Sequence, residues 1–413
     1  MRIRTLSIPL IATAVVLMAL TAFAVPKGNA EPEKGAVRVL FLGHESEHHN
    51  SNKFYPMLAK GLGRDAIYFD YVTTVEGALG DAAYLNQFDA LLLYANHGRI
   101  KPAQWRNLKA FVEGGGGFVP VHCASWCFGN EPGFDQLVGG RFASHKTGTF
   151  TAKVVDSKHP AMAGVKEFEA WDETYKHRNH NKKDRQVLMV REVAEKGDNI
   201  TEPEPWTWVR TQGKGRVFYT ASGHDERVWK QPAFHQLLKA GILWSVGDAR
   251  KQSYEKFIAG RAPLKYEKRD NIPNYEKRSE PLPYQFPLSA KDSMDYTQAP
   301  VGFRLELFAS EPDVINPIGL AWDERGRLWV AETVDYPNEM TPNRVGNDKI
   351  KILEDTDGDG KCDKVTVFAE GLNIPTSLTF SRGGIIVAHV PDFLFLKDTD
   401  GDDKADVREV LNT

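Results

Sequence analysis

A glycine run that leads into a short apolar strand places the strongest constraint on the fold of this chain. Residues 114–117 are all glycine, and the apolar strand Phe118 to Val121 that follows stops abruptly at His122. In an open α/β sheet, the carboxyl ends of the strands border the crevice where ligands bind. A second strand candidate, Arg216 to Thr220, is followed closely by His224. We therefore expect polar groups from two strands to meet at one edge of a sheet.

Strands that alternate with helices predict an α/β fold with a doubly wound parallel sheet. The strand candidate Val37 to Leu42 is followed by the helix candidate Asn52 to Gly63, and the helix candidate Pro102 to Glu113 precedes the glycine run. The 413 residues are too many for one ordinary core. We expect the α/β domain at 36–248 and a proline-rich, semi-extended linker at 249–300, whose aromatic side chains can pack on a neighbouring surface.

The segment 301–413 predicts an incomplete β-propeller. Short strand candidates such as Phe303 to Phe308 and Leu328 to Glu332 occur in it, and the acidic stretch that begins at Asp355 is echoed 43 residues later at Asp398. That offset is close to the ~40 to 50 residues of one propeller blade. The segment offers about two blades, so a ring would have to be completed elsewhere.

The N-terminus has the pattern of a signal peptide at residues 1–30. Arg2 and Arg4 precede an apolar run from Ile8 to Ala24, and small residues follow. We expect export to the periplasm or cell surface; an uncleaved membrane anchor is the alternative, although the run is short for a span of ~20 residues. The net charge of −3 argues against a nucleic-acid partner.

Histidines at strand ends are the candidates for chemistry. Eleven of the twelve histidines precede Gly247, and imidazole exchanges protons near neutral pH. We expect His122 and His224 to be catalytic, with Glu173 or Asp225 orienting an imidazole or serving as the partner carboxylate. For Asp225 a cap on the following turn is the alternative.

Other polar residues near the same edge are expected to bind substrate. These are His44, Glu45, His48, Asn96, His97 and Trp126. A divalent metal held by His44, His122 and His224 is a variant of the same hypothesis. For any single histidine, a solvated polar loop is the alternative, since convergence of the side chains is inferred from strand order alone.

The three cysteines, Cys123, Cys127 and Cys362, are too few for a disulfide framework. Cys123 follows a strand end, where such folds expose nucleophiles. A thiol hydrolase is therefore a third hypothesis, beside the reading of Cys123 as a small buried hydrophobic residue. The sequence leaves open whether Cys123 and Cys127 are bridged.

Two aspartate loops match much of the spacing of a calcium-binding loop. Oxygen ligands are expected at Asp355, Asp357, Asp359 and Asp363, and more weakly at Asp398, Asp400, Asp402 and Asp406. In the second loop Asp403 replaces the glycine of the first, and in the first loop Thr366 stands where a calcium loop ends in glutamate. An acidic solvated turn between strands is the alternative.

The α/β segment resembles the ThuA-like (trehalose utilisation) family, whose fold is of the flavodoxin and class I glutamine amidotransferase type. The resemblance lies in Gly43-His44, the glycine run into Val121-His122, the Asp172-Glu173 pair, and Gly213 to Tyr219 leading to Gly223-His224-Asp225. It implies a role in sugar metabolism, on oxidised (3-keto) glycosides. That family lacks the amidotransferase cysteine triad, and Cys123 beside His122 does not restore it.

The segment from Val301 is similar to the N-terminal part of the membrane-bound dehydrogenase-like domain of planctomycete-type bacteria, and to glucose/sorbosone dehydrogenase propellers. The resemblance lies in Pro300 to Phe303, Asn316 to Asp323, Gly326 to Glu332 and the aspartate loops. It implies membrane-associated or electron-transfer partners. No Cys-x-x-Cys-His motif occurs in the sequence, so haem is not expected in this chain.

Together these features predict an exported carbohydrate-active protein. The α/β domain would act on a sugar or keto-glycoside by histidine and carboxylate acid–base chemistry, with or without a metal, and would be fused to a dehydrogenase-like propeller. The alternative is a non-catalytic glycan-binding module at the cell surface.

Overall fold

A computed structural model describes residues 35–413, except 195–197, 199, 271–273, 275–276, 281 and 337–340. The expected signal peptide at 1–30 lies outside the described residues. Within the described part of the chain, no helix combines the length and the apolar character needed to cross a bilayer.

The elements of the first unit alternate along the chain as expected for an α/β fold. Its strands are β1 (Val37–Leu42), β2 (Ile67–Val72), β3 (Ala90–Leu93), β4 (Gly117–Pro120), β5 (Arg141–Ser144), β6 (Thr147–Thr151), β7 (Lys153–Val154), β8 (Glu169–Glu173), β9 (Lys176–Arg178), β10 (Arg185–Arg191), β11 (Glu204–Gln212) and β12 (Gly215–Thr220). Its helices are α1 (Ser51–Gly63), α2 (Val75–Leu79), α3 (Ala82–Leu85), α4 (Pro102–Gly114), α5 (Pro132–Val138), α6 (Glu226–Trp229) and α7 (Pro232–Ser245), with 3₁₀ turns at His122–Trp126 and Pro160–Met162.

The main sheet has the strand order β2-β1-β3-β4-β12-β11-β10-β7. The first five strands of that order pair in parallel, and the remaining three are antiparallel. The parallel sheet expected from the sequence is therefore right for one side of the sheet and wrong for the other. The cause is local: Gly213, at φ +59°, and Lys214 form the whole connection from β11 to β12. A two-residue connection joins antiparallel strands in a hairpin, and it is too short for the crossover that two parallel strands require.

Helices cover the parallel strands on both faces. Every residue of β1, β3 and β4 is buried, which explains their continuous apolar sequences. The crossovers β1 to β2 and β2 to β3 run in opposite directions along the sheet, so their right-handedness puts α1 on one face and α2 and α3 on the other. Accordingly α1 packs against α7, while α2 and α3 pack against α4. The carboxyl ends of β1, β3, β4 and β12 consequently open at one edge.

The segment expected to be a linker, 249–300, begins with a helix, α8 (Asp248–Gly260), which corrects that expectation for residues 249–260. Arg250 Nε lies 2.7 Å from Asp89 Oδ1, and the buried Tyr254 donates its hydroxyl to Asp65 O at 2.8 Å. These contacts fix α8 to the first unit. Tyr254 is the one buried residue of α8, so the helix has no apolar stripe that would predict it from the sequence.

Beyond α8 come β13 (Tyr266–Glu267), β14 (Tyr284–Gln285) and α9 (Ala290–Met294). Residues 295–301 then run beside the edge strand β2, where Gln298 Nε2 donates to Phe69 O at 3.2 Å and Val301 N donates to Asp70 Oδ2 at 3.1 Å. The end of the expected linker therefore packs on the first unit, as its aromatic and polar composition allowed.

The C-terminal region consists of two four-stranded antiparallel sheets. The first holds β15 (Pro317–Trp322), β16 (Leu328–Glu332), β17 (Asp348–Glu354) and β18 (Lys364–Leu372), and the second holds β19 (Pro375–Ser381), β20 (Gly384–His389), β21 (Asp392–Lys397) and β22 (Val407–Asn412). Each aspartate loop joins the third strand to the fourth, so the echo in the sequence is also a structural repeat. The strand expected at Phe303 to Phe308 does not form, and Phe303 is exposed.

The two C-terminal sheets share one apolar core and one ion-pair network. Trp329 and Ile352 of the first sheet belong to the same buried cluster as Val387 of the second. Arg327 pairs with Asp323 of its own sheet at 2.8 Å and with Asp403 of the second aspartate loop at 2.8 Å. Asp403 adopts φ +62° at the place where the first loop has a glycine, so the departure from glycine provides a link between the sheets.

We predict that Gly215→Ala strongly destabilises the first unit. A Cβ at Gly215 would lie 2.0 Å from the backbone oxygen of Val112, which cannot swing aside, and such overpacking costs about 3 kcal/mol. Gly114→Ala is the matched control, because a Cβ there meets nothing within 4 Å and alanine favours a helix by up to about 1 kcal/mol. Urea unfolding measures both variants; equal free energies of unfolding for the two would contradict this packing.

Candidate active site

Side chains from three strand ends of the main sheet and from one smaller sheet meet at the open edge of the main sheet. His49 follows β1, His122 follows β4, and His224 follows β12, while Glu173 is the last residue of β8, which pairs with β6 in a separate two-stranded sheet. One ligand-type atom from each of these four residues lies within 4.8 Å of the others. We call these four residues the histidine–glutamate cluster.

Glu173 is the centre of this cluster. Its Oε2 lies 3.2 Å from His122 Nε2 and 3.6 Å from His49 Nε2, while its Oε1 lies 3.2 Å from His224 Nδ1 and 3.5 Å from His145 Nδ1. Burial alone would raise the pKa of Glu173, but the contacts with His122, His224 and His49 outweigh burial and hold the pKa below its usual value. The carboxylate is therefore ionised.

His122 is held rigidly by its backbone and its ring. Its φ of +49° is uncommon for a residue with a side chain, and such strain is characteristic of functional sites. Its Nδ1 lies 2.6 Å from Ala221 O, and its ring stacks on Tyr175 with centroids 4.2 Å apart. A carbonyl only accepts, so Nδ1 is the donor in this contact and Nε2 faces the cluster.

His49 is positioned by residues at two strand ends. Its φ is +55°, its backbone oxygen accepts from His44 Nε2 at 2.9 Å, and its Nδ1 lies 3.1 Å from Asn96 Nδ2. Burial lowers the pKa of His49 to about 3, against the contact with Glu173. The ring is therefore neutral at physiological pH.

Asp172 holds the backbone of the loop that carries His224. Its carboxylate accepts from three backbone N–H groups: Glu173 at 2.8 Å, Gly223 at 3.0 Å and His224 at 3.1 Å. Burial raises the pKa of Asp172, although these hydrogen bonds oppose the rise. Burial also acts to lower the pKa of His224, but the adjacent carboxylate of Glu173 outweighs it and raises that pKa.

A cleft of about 250 Å³ opens beside the cluster. Its wall combines aromatic and polar side chains: His48, His49, Asn96, Trp126, Phe142, His145, Glu173 and Tyr175. Trp126 is 42% exposed, so one large apolar surface faces solvent at the mouth of the cleft. Burial lowers the pKa of His48, whose ring lies 3.9 Å from that of His49.

Several of the expected site residues reach this cleft or its cluster, and others do not. His122, His224 and Glu173 come together in the cluster, and His48, Asn96 and Trp126 line the cleft. His44, Glu45, His97 and Asp225 make other contacts. Glu45 accepts from the hydroxyl of Thr73, and His97 Nε2 lies 2.9 Å from Gly43 O.

His44 is not in the cluster, which corrects the expected metal set of His44, His122 and His224. Both of its ring nitrogens contact backbone groups: Nε2 contacts His49 O, and Nδ1 accepts from Asn96 N at 3.2 Å. His49 takes its place. The positive φ of His49 turns its ring inward, and the sequence gives no sign of that conformation.

Asp225 caps α6, as the alternative reading held. Its carboxylate accepts from Arg227 N at 2.9 Å and pairs with the guanidinium of Arg227, which lowers the pKa of Asp225 although burial opposes this. With its carboxylate engaged in this way, Asp225 does not serve the imidazoles of the cluster.

The cysteines of the first unit are buried free thiols. Cys123 and Cys127 are not bridged, and Cys127 Sγ lies 2.9 Å from Ala95 O. Burial raises the pKa of Cys123 well above its usual value, which disfavours the thiolate that a nucleophile needs. The thiol-hydrolase hypothesis therefore has no support in the geometry.

Besides His49, the sequence reasoning missed Asp172, His145 and Tyr175 of the site, as well as Phe142 in the wall of the cleft. Asp172 stands beside Glu173 in the acidic pair that the sequence already singled out, so its position was available as a signal. His145 lies between β5 and β6, and Tyr175 follows β8, in a region of short strands. Only the pairing of distant strands, β5 with β9 and β6 with β8, brings His145 and Tyr175 to the cleft.

The aspartate loops bring together part of each expected ligand set. Asp355, Asp357 and Asp359 approach one another in the first loop, and Asp398, Asp400 and Asp406 do so in the second. Asp363 instead accepts from the backbone and hydroxyl of Thr356. Calcium binding at these loops stays a prediction.

The chain belongs to the ThuA family, described as trehalose utilisation, whose family model matches residues 38–245. A second family model, described as a domain of unknown function (DUF7133), matches residues 289–413. No curated protein gives a significant match to the chain. Membership of the family links the first unit to a carbohydrate-related function.

Solved structures resemble the first unit in fold. A ThuA-like protein from Parabacteroides merdae is 18% identical, with 51% of this chain and 90% of that chain covered and a TM-score of 0.45. A ThuA-like protein from Bacteroides uniformis is 20% identical, with 51% and 92% covered and a TM-score of 0.43. A β-galactosidase from Bacillus circulans is 16% identical, with 51% and 31% covered and a TM-score of 0.36.

We predict that Asp172→Asn lowers the free energy of unfolding by about 2 kcal/mol, because an amide nitrogen would face a buried N–H donor that the carboxylate now satisfies. Asp225→Asn is the matched control and should change the stability by less than about 0.5 kcal/mol, since asparagine also caps helices and exposed ion pairs contribute little. Thermal and urea unfolding give both values. A larger loss in Asp225→Asn than in Asp172→Asn would contradict the positioning role of Asp172.

Proposed function

We propose that the first unit binds a sugar or keto-glycoside in the cleft and transfers a proton at a hydroxyl or ketone oxygen of that sugar. The observation that carries this proposal is a single ionised carboxylate, Glu173, surrounded by four imidazoles at the wall of an aromatic cleft. Acid–base chemistry near neutral pH needs such groups within reach of the substrate.

The walls of the cleft suit a sugar ring. Trp126, Phe142 and Tyr175 offer apolar faces, on which the C–H face of a pyranose can pack, and Asn96 and His48 offer hydrogen-bonding groups beside them. Pockets that hold drug-sized ligands measure about 300–1,000 Å³. A cleft of about 250 Å³ is therefore suited to one sugar ring and not to a longer glycan.

The roles of the histidines follow from their exposure. The side chain of His122 is fully buried, and that of His224 is 17% exposed, whereas that of His145 is 38% exposed and lines the cleft. We assign proton transfer to His145, oriented by Glu173, and a supporting role behind the carboxylate to His122 and His224. A non-catalytic glycan-binding module needs only the aromatic wall, so turnover distinguishes the two functions.

For the C-terminal region we propose two blades of a β-propeller of the dehydrogenase-like kind. Two consecutive four-stranded sheets with a shared core and a 43-residue repeat support this proposal. Export to the periplasm or cell surface is proposed from the N-terminal sequence alone. Membrane-associated or electron-transfer partners stay predictions.

We predict that His145→Asn lowers turnover of a 3-keto glycoside with a single sugar ring by about 10²- to 10⁴-fold, the usual contribution of a general acid or base, while sugar affinity changes by less than about threefold. His159→Asn is the control, because His159 lies outside the cleft and caps a 3₁₀ turn, which asparagine also caps. Product release by the full chain is measured by chromatography. Wild-type turnover in His145→Asn would remove His145 from the mechanism; tight binding by the wild type without product would establish the binding module instead.

We predict that Trp126→Ala weakens binding of the same sugar by about tenfold, since a stacked aromatic face contributes about 1–1.5 kcal/mol. Trp322→Ala is the control, because Trp322 is exposed in β15 and does not line the cleft. Isothermal titration of the full chain gives both affinities. Equal affinities in the two variants would show that the sugar does not occupy this cleft.

A further inference from the structure

We infer that His49, His122 and Glu173, with His224 beside them, hold a divalent first-row metal ion such as Zn²⁺. The inference rests on the arrangement of these four side chains, and it holds or fails independently of the sugar chemistry proposed above.

The spacing of the donor atoms is that of a metal centre. His122 Nε2 lies 3.2 Å from His49 Nε2 and 3.2 Å from Glu173 Oε2, and the third side of this triangle, from His49 Nε2 to Glu173 Oε2, measures 3.6 Å. Ligand atoms about 2.0–2.1 Å from a tetrahedral Zn²⁺ are about 3.3 Å apart. The triangle therefore has the dimensions of three ligands around one ion.

Hydrogen bonding alone does not satisfy this triangle. The proton of His122 is on Nδ1, where it faces Ala221 O, so the lone pair of Nε2 points at a carboxylate and at a second imidazole. Two acceptor-type atoms therefore face His122 Nε2, each at 3.2 Å: Glu173 Oε2 and His49 Nε2. A cation instead accepts the lone pairs of all three atoms at once, which makes it the simpler occupant.

The outer contacts orient the rings as ligands. A metal-bound imidazole usually donates its other N–H to a carbonyl or carboxylate, as His122 does to Ala221 O. His49 Nδ1 faces the side-chain amide of Asn96 at 3.1 Å. The oxygen and nitrogen of an amide are assigned from the hydrogen-bond network, so a flip of Asn96 presents an oxygen to His49 Nδ1–H and leaves Nε2 for the metal.

The donor set and its exposure indicate a site that could act on a ligand. Two or three imidazoles with one carboxylate suit zinc and related first-row cations better than calcium or magnesium. The side chains of His49 and Glu173 are each 4% exposed, yet both line the cleft. A bound ion would therefore present an open coordination position to a water or sugar oxygen, as catalytic zinc sites do.

Metal binding by the full chain tests this inference without any activity assay. After treatment with a chelator and dialysis, the wild type should bind about one equivalent of Zn²⁺ by calorimetry, and Co²⁺ should give the intense visible absorption of a four- or five-coordinate imidazole site. His49→Gln and Glu173→Gln should each weaken Zn²⁺ binding at least 100-fold, since each removes a ligand.

Glu204→Gln is the matched control, because Glu204 pairs with the buried His177 at 2.9 Å outside the cluster; it should keep the wild-type affinity. Circular dichroism identifies variants that fail to fold. If both cluster variants fail to fold, the Co²⁺ spectrum of the wild type tests the inference on its own. Absence of a stoichiometric Zn²⁺ site in the wild type, or unchanged affinity in both cluster variants, would overturn the inference. The proposed function is tested separately: metal binding without sugar turnover would support this inference and contradict the proposed function, and sugar turnover by a chain that binds no Zn²⁺ would do the reverse.

Discussion

A buried ionised carboxylate is the constraint on which the site depends. An unpaired carboxylate in a protein interior is too costly to persist, so Glu173 needs partners of opposite or adaptable charge. The fold supplies four imidazoles. Three follow strand ends of the main sheet, and the fourth, that of His145, lies between β5 and β6. His49 and His122 both adopt positive φ angles to reach Glu173, and a strained backbone at such a position is tolerated only where surrounding contacts fix it. The strand order, the positive φ angles of His49 and His122 and the negative charge of the carboxylate together determine the surroundings of Glu173.

Much of this arrangement was predictable because its signals are local. The glycine run and the apolar strand before His122, and the similar strand before His224, mark parallel strands whose ends share an edge. The acidic pair that contains Glu173 was also visible. The choice of His49 over His44 was not, because it depends on one backbone angle inside a polar loop. His145 and Tyr175 could not be placed either, since the short strands beside them reach the cleft only by pairing with strands that are distant in the sequence.

The same contrast between local and distant signals runs through the rest of the chain. The turn at Gly213 reverses β11 onto β12, so that three of the eight strands pair in the antiparallel sense. A two-residue connection in the sequence could have indicated this reversal. Helix α8 was hidden because its stability comes from contacts such as Arg250 with Asp89, and not from an apolar stripe. Asp403 stands in the second aspartate loop at the position that glycine occupies in the first. Its carboxylate pairs with Arg327, a contact between distant segments that the sequence repeat does not indicate.

The most direct test of the account is X-ray absorption spectroscopy at the zinc edge of the zinc-loaded full chain. The account predicts one ordered zinc environment with nitrogen and oxygen ligands at about 2.0–2.1 Å, including the outer-shell scattering of two or three imidazoles. An environment of oxygen ligands alone, without imidazole scattering, would contradict the central claim that these histidines and Glu173 share one centre.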